Sequence, residues 1–179
     1  MIALMAIKRY DETVGIAIPE GRTVNSVWLG GLVQGLQKLS PFLVDVEDYH
    51  VGLTAIREAY DMDKRLPKSP SRTGTTLFQL GVLLYLTNDF NAALPVTAEA
   101  VEVLSHLANE DRRSQAVFAM ALASFGRTLL RLGRREDART ALRASAENLQ
   151  PYAADEQFER VYADVRSELA LLQEYDSPT

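Results

Sequence analysis

DYHVGLTAIREAYDMDKRL, residues 48–66, and DFNAALPVTAEAVEVLSHL, residues 89–107, are one pattern written twice. Asp48, Tyr49, Leu53, Glu58, Ala59 and Leu66 recur 41 positions on as Asp89, Phe90, Leu94, Glu99, Ala100 and Leu107. An internal period of this length is the mark of stacked repeats, in which each unit buries its apolar face against its neighbours. A second register of 45 residues carries Leu77, Leu80, Gly81, Leu84 and Ala93 to Leu122, Phe125, Gly126, Leu129 and Ala138. A third unit is therefore related to the second but drifting.

The apolar spacing is helical almost everywhere from Thr23 onward. Val27, Trp28, Leu32, Leu36 and Leu39 form one stripe, with Gln34, Gln37 and Lys38 off it. Turn signals at Ser40 and Pro41, Pro67 to Gly74, Asn88 to Asn91, Gly133 and Pro151 divide the chain into pieces of helical length. Ser71 to Thr76 reads as linker plus helix cap. Pro41 predicts a shortened or kinked first helix, and Pro95 a local irregularity near a cap at Asn91. Gly30, Gly31 and Gly35 each weaken a helix unless a neighbour packs closely on it, so tight helix contact is expected there. Val14, Ile16 and Ile18 alternate with period two and read as an extended lead-in, since no second strand exists to pair with them.

Each unit reads as two antiparallel helices. Leu80-Gly81 and Phe125-Gly126 put a residue without a side chain where two helices approach, and Ala93 and Ala138 do the same on the second helix. These residues resemble the tetratricopeptide repeat family: a large residue followed by Gly, an apolar position three on, a small residue opening the second helix, and Ala100 or Ser145 seven further along. The resemblance covers about residues 35–150, with a spacing longer than the usual repeat of about 34 residues. It implies an all-α, right-handed superhelical stack of antiparallel helix pairs, about seven helices. In that reading residues 1–22 are a lead-in, 23–176 the repeat domain with a closing helix over 155–175, and 177–179 a tail. The closing helix is read from Phe158, Val161, Val165, Leu169 and Leu172, at helical spacing between charged residues.

Composition narrows the functions. The 179 residues hold 19 Lys plus Arg against 24 Asp plus Glu, a net charge of −5, so a whole-chain electrostatic case for nucleic acid is absent. With no cysteine and two histidines, His50 and His106, about fifty positions apart, thiolate chemistry is excluded and most histidine-based routes to metal binding or catalysis are removed. Neighbouring carboxylates such as Glu99 with Glu102 lack a convergent base or nucleophile. No phosphate-loop spacing follows the glycines. No enzyme activity, cofactor or metal is expected. No apolar run approaches the roughly 18 residues that span a bilayer, and Met1 to Ile7 lacks the basic flank of a signal peptide, so cytoplasmic residence is expected. A bare apolar start with no cap fits one piece of a longer protein.

Arginine supplies the sharpest signal. Arg127, Arg131, Arg135, Arg139 and Arg143 recur every four residues, and the segment from Arg112 to Arg143 sets eight arginines against Glu136 and Asp137. The series reads either as a solvated face with guanidinium groups paired to neighbouring acids, or as a surface for an anionic ligand or acidic peptide. The resemblance implies that the first helices of successive repeats line a concave surface. Phe78, Val82 and Tyr85 would then stand beside Arg127, Leu130 and Arg131, an apolar floor with a cationic rim for a partner segment of acidic character. The aromatic side chains read equally well as core. The reading is a scaffold that holds a protein or peptide. Its alternatives are a regulatory module closing on a small anionic ligand or signalling peptide, and a structural module that self-associates through the apolar N-terminal segment.

Overall fold

A computed structural model describes residues 26–174. The lead-in expected over residues 1–22, its alternating Val14, Ile16 and Ile18, the expected domain start at Thr23 and the tail over 177–179 lie outside the described residues. Seven α-helices and no strand are found among those described: α1 (Ser26–Asp45), α2 (Tyr49–Asp63), α3 (Pro70–Leu86), α4 (Phe90–Ser105), α5 (Arg112–Arg131), α6 (Arg135–Leu149) and α7 (Glu156–Glu174). A short 3-10 turn, Gln150–Tyr152, leads into α7. The chain is an all-α helical repeat fold.

The repeat is most exact in its turns. Leu43, Leu84 and Leu129 accept hydrogen bonds from the backbone N–H of Asp48, Asp89 and Arg134, at 2.9, 2.9 and 3.0 Å. Inside these bonds the N–H groups of Glu47, Asn88 and Gly133 reach Val44, Tyr85 and Leu130, each at 3.0 Å. Glu47, Asn88 and Gly133 all take positive φ, at 57°, 62° and 77°. The same left-handed residue thus closes α1, α3 and α5 and satisfies carbonyls that a helix end leaves orphaned. The next residue opens the second helix. Asp48 and Asp89 accept from Val51 N and Ala92 N through their carboxylates, whereas Arg134 holds similar backbone angles with no side-chain cap.

Short turns make hairpins of α1 with α2, α3 with α4 and α5 with α6. The first helices α1, α3, α5 and α7 adjoin in sequence, and each second helix packs on the first helix that follows it. Between the layers the core is built mainly from leucine and alanine, including Ile56, Leu77, Leu83, Leu129, Leu142 and Val165, all fully enclosed. The small residues fall where the hairpins are tightest. A Cβ built on Gly81 would clash with Cγ2 of Thr97, and one on Gly126 would lie 2.8 Å from Cγ of Leu142. Thr97 and Leu142 are themselves 45 residues apart, so the same close contact serves both hairpins.

Four local expectations are corrected. Helix α1 runs through Pro41 to Asp45, so of the two expectations at Pro41 the shortened helix is overturned. Pro41 removes one donor, and the carbonyl it leaves free, that of Gln37, accepts instead from the Gln79 side chain of α3 at 2.8 Å. Helix α3 begins at Pro70, so Ser71 to Thr76 lie within the helix, because Pro suits the first helical position. The cap of α4 is Asp89, not Asn91, with Pro95 inside the helix. Finally, Gly30, Gly31 and Gly35 have no described atom within 4 Å of an added Cβ. The buried line of α1 is Leu29, Val33, Leu36 and Ser40, which turns these glycines away from α2 and α3. The side-chain environment of Trp28 lies outside the described residues.

Candidate functional site

The first-helix side of the stack carries a groove of about 900 Å³. Gln34, Gln37, Lys38, Pro41 and Phe42 of α1 form one wall, and Ser71, Arg72, Thr75 and Gln79 of α3 the floor. The other wall is Leu104 and Leu107, from the end of α4 and the residues after it, with Asp111 and then Arg113, Ser114 and Val117 of α5.

Polar bonds fix the floor. Gln37 Nε2 donates to the Arg72 carbonyl at 3.0 Å and to Thr76 Oγ1 at 2.8 Å, while Gln79 answers through the Gln37 carbonyl. Arg72 binds the buried carboxylate of Asp63 through Nε and the Pro67 carbonyl through Nη2 at 2.8 Å. Thr73 also donates to Asp63. A buried charge is tolerated only with such partners. This cluster joins the end of α2, the connection over residues 64–69 and the start of α3.

Three cations, Lys38, Arg72 and Arg113, line the groove against one carboxylate, Asp111. Arg72 is committed to Asp63. Asp111 caps α5, accepting from Ser114 N at 2.8 Å and Ser114 Oγ at 3.1 Å. The backbone bond, then the hydroxyl bond, hold its carboxyl below the ordinary value. The Arg113 charge acts on the same carboxylate in the same direction, which leaves Lys38 as the groove cation with no such interaction shown among the described residues.

None of the six residues selected from the sequence lines this groove, which reaches no further than Gln79 along α3 and Val117 along α5. Phe78 packs in a cluster with Leu104, Leu107, Val117, Phe118 and Ala121. Leu130 joins the packing on both sides of α5. Val82 is half-buried on α3. Tyr85 meets the edge of Phe90 with centroids 5.4 Å apart, and Arg131 stacks over the same ring at 4.5 Å. Tyr85 and Arg131 are therefore brought together, with Phe90 between them. Arg127 binds Glu168 of α7 at 2.7 Å, an ion pair in which both side chains are 29% exposed.

The rest of the arginine series divides in the same way. Arg139 reaches Glu136 at 2.9 Å and the Leu172 carbonyl at 3.2 Å, Arg134 pairs with Asp137, and Arg112 with Asp155. Much of the series serves to fasten α7 and the α6 start. The groove was missed because its polar residues come from three segments, and no single stretch of chain carries its pattern.

His50 is exposed in the first turn of α2, and His106 follows α4 as its C-cap. Among the described residues no cluster of His, Asp or Glu could hold a metal ion, and no helix is long and apolar enough to cross a membrane.

No family model and no curated protein matches the chain. Among solved structures it is similar to BtubC (BKLC) from P. vanneervenii, with a TM-score of 0.65 and 17% sequence identity. The match covers 97% of this chain and 63% of BtubC, so the chain spans less than two thirds of that protein's length. A likeness at this identity concerns the fold alone.

Proposed function

We propose that this chain is a protein-interaction module of tetratricopeptide-like repeats, acting within the cytoplasm, that holds an extended peptide segment along the first-helix groove. The reading rests on one observation: three successive first helices contribute to a single groove whose lining cations, Lys38, Arg72 and Arg113, outnumber its one carboxylate, Asp111. Gln34, Ser71, Thr75 and Ser114 add side-chain donors and acceptors suited to peptide groups. Phe42 and Val117 offer apolar contact at the two walls. A segment with carboxylates beside an apolar anchor complements this lining.

An immobilised array of acidic peptides, each with one Phe or Leu, tests the proposal beside matched lysine-rich peptides. The acidic set should retain the full chain, less so as salt rises, because exposed ion contacts are screened. Arg113→Glu should weaken retention about tenfold through like-charge repulsion, at unchanged melting temperature because Arg113 is exposed. Equal retention of acidic and basic peptides, or indifference to Arg113→Glu, overturns the reading.

A further inference from the structure

We propose that the exposed face of α1 is a self-complementary contact with a second copy of this chain, centred on Phe42. Phe42 is 68% exposed and Val46, just beyond the helix, is 70% exposed; among the described residues the other large exposed apolar side chain is Leu171, on α7. Phe42 shares its face of α1 with Gly31, Gly35, Lys38 and Asp45, which follow the helical spacing opposite the buried Leu29, Val33 and Leu36. An added Cβ at either glycine meets no described atom within 4 Å, so another helix can come close there.

Charge decides the occupant. In its 20 residues α1 carries two charged side chains, Lys38 and Asp45, neither of which has an ion-pair partner among the described residues. Lys38 stands four residues before Phe42 and Asp45 three after it. When two copies of α1 meet antiparallel about a twofold axis near Phe42, Lys38 of each faces Asp45 of the other while the two aromatic rings meet at the axis. A twofold contact requires that residue i meet j and j meet i, and this face satisfies the rule with one cation and one anion. The other end of the described helices is more polar: α7 presents Glu159, Arg160, Asp164 and Arg166 to solvent beside the one exposed Leu171. Polar outer faces are how a helical stack ends. The contact does not rest on the peptide reading and would compete with it, because Lys38, Pro41 and Phe42 also line one wall of the groove and a dimer would cover that wall.

Sedimentation equilibrium of the full chain over a range of concentrations, without peptide, tests the proposal. The wild type should pass reversibly from monomer to dimer, and Phe42→Glu should stay monomeric with an unchanged melting temperature. Lys38→Glu and Asp45→Lys should each move the transition to about tenfold higher concentration, since each creates like-charge pairs at both ends of the contact. The double exchange should restore it. A wild type that stays monomeric throughout, a dimer that survives Phe42→Glu, or a double exchange that fails to restore association overturns the proposal. So does a Phe42→Glu variant with a lowered melting temperature, which would mean that Phe42 is covered within its own chain.

Discussion

Gln79 donates its side-chain amide to the backbone carbonyl of Gln37, at 2.8 Å, and that carbonyl is the one Pro41 leaves without a helical donor. A proline that would otherwise be a defect in α1 becomes the point where α1 is tied to α3. Gln37 completes the tie with its own amide on Thr76 Oγ1 and the Arg72 carbonyl.

Removing the donor should therefore cost more where proline is present. Gln79→Ala is expected to destabilise by about 1 kcal/mol, the usual net value of a lost hydrogen bond. In a Pro41→Ala background, where residue 41 again supplies an N–H to Gln37, the same change should cost less. Denaturant titrations of the four proteins form the cycle that checks it, and strict additivity would mean that the two sites are not coupled.

The close helix contact makes a sharper contrast. Gly81→Leu and Gly126→Leu should each lower stability by roughly 1 to 3 kcal/mol through overpacking. Thr97 cannot easily give way at Gly81, since it is buried and its hydroxyl is bonded to the Ala93 carbonyl at 2.9 Å. Gly30→Ala, a mid-helix glycine with open space around it, should instead stabilise by about 0.5 to 1 kcal/mol. Thermal melts of the three variants decide it: a loss at Gly30 equal to that at Gly81 would sink the distinction.

The turns at Asn88 and Gly133 were legible because their chemistry is local, whereas the first turn, expected at Ser40 and Pro41, lies at Val46 to Asp48. Asp48 and Asp89 matched in the sequence and both cap helices. Ala59 and Ala100 matched and both are enclosed, as are Leu66 and Leu107. The facing of α1 was not legible, because this helix is apolar on nearly every side and its spacing fits several stripes. Nor was the fate of the arginines, since a four-residue period fixes which face they share but not what lies opposite. Glu168, 41 residues from Arg127, is a separate decision of the fold.

The three turns share one geometry but not equal chemistry, and that inequality can be tested. The first has a good cap in Asp48 but places Glu47 at positive φ, where a side chain is strained. The third has Gly133 at positive φ but an arginine at the cap. Glu47→Gly and Arg134→Asn should therefore each raise stability by about 1 kcal/mol. Unfolding midpoints below that of the wild type for both would show that the shared geometry does not govern the turns.

Arg127 sits with Glu168 in a half-buried pair between α5 and α7, which changes what its substitution should do. Arg127→Glu sets two carboxylates against each other and should lower stability by about 1 kcal/mol or more, with the Arg127→Glu, Glu168→Arg exchange recovering part of the loss. Arg131→Glu removes the guanidinium from the Phe90 ring, worth about 0.5 to 1 kcal/mol at an exposed site. If neither variant melts below the wild type, the two arginines are dispensable to the fold and return to consideration as binding residues.

Asp111 gives the pH dependence of α5. Its carboxyl is held below the ordinary value by the Ser114 N–H first and the Ser114 hydroxyl second, so the folded state prefers the ionised form. A group with a depressed folded pKa adds stability that is fully present above its unfolded value and is lost as pH falls through the folded one. The carboxylate also faces the positive end of the helix, which acts in the same direction. Carboxyl-detected titration should place the Asp111 midpoint below the usual aspartate range, near 3.9 in the unfolded chain. Ser114→Ala removes the hydroxyl but keeps the backbone donor, so it should move that midpoint only part of the way back. Asp111→Asn should retain most of the neutral-pH stability while losing the acid-side contribution of this group. A midpoint in Ser114→Ala identical to that of the wild type would assign the shift to the backbone and helix end alone.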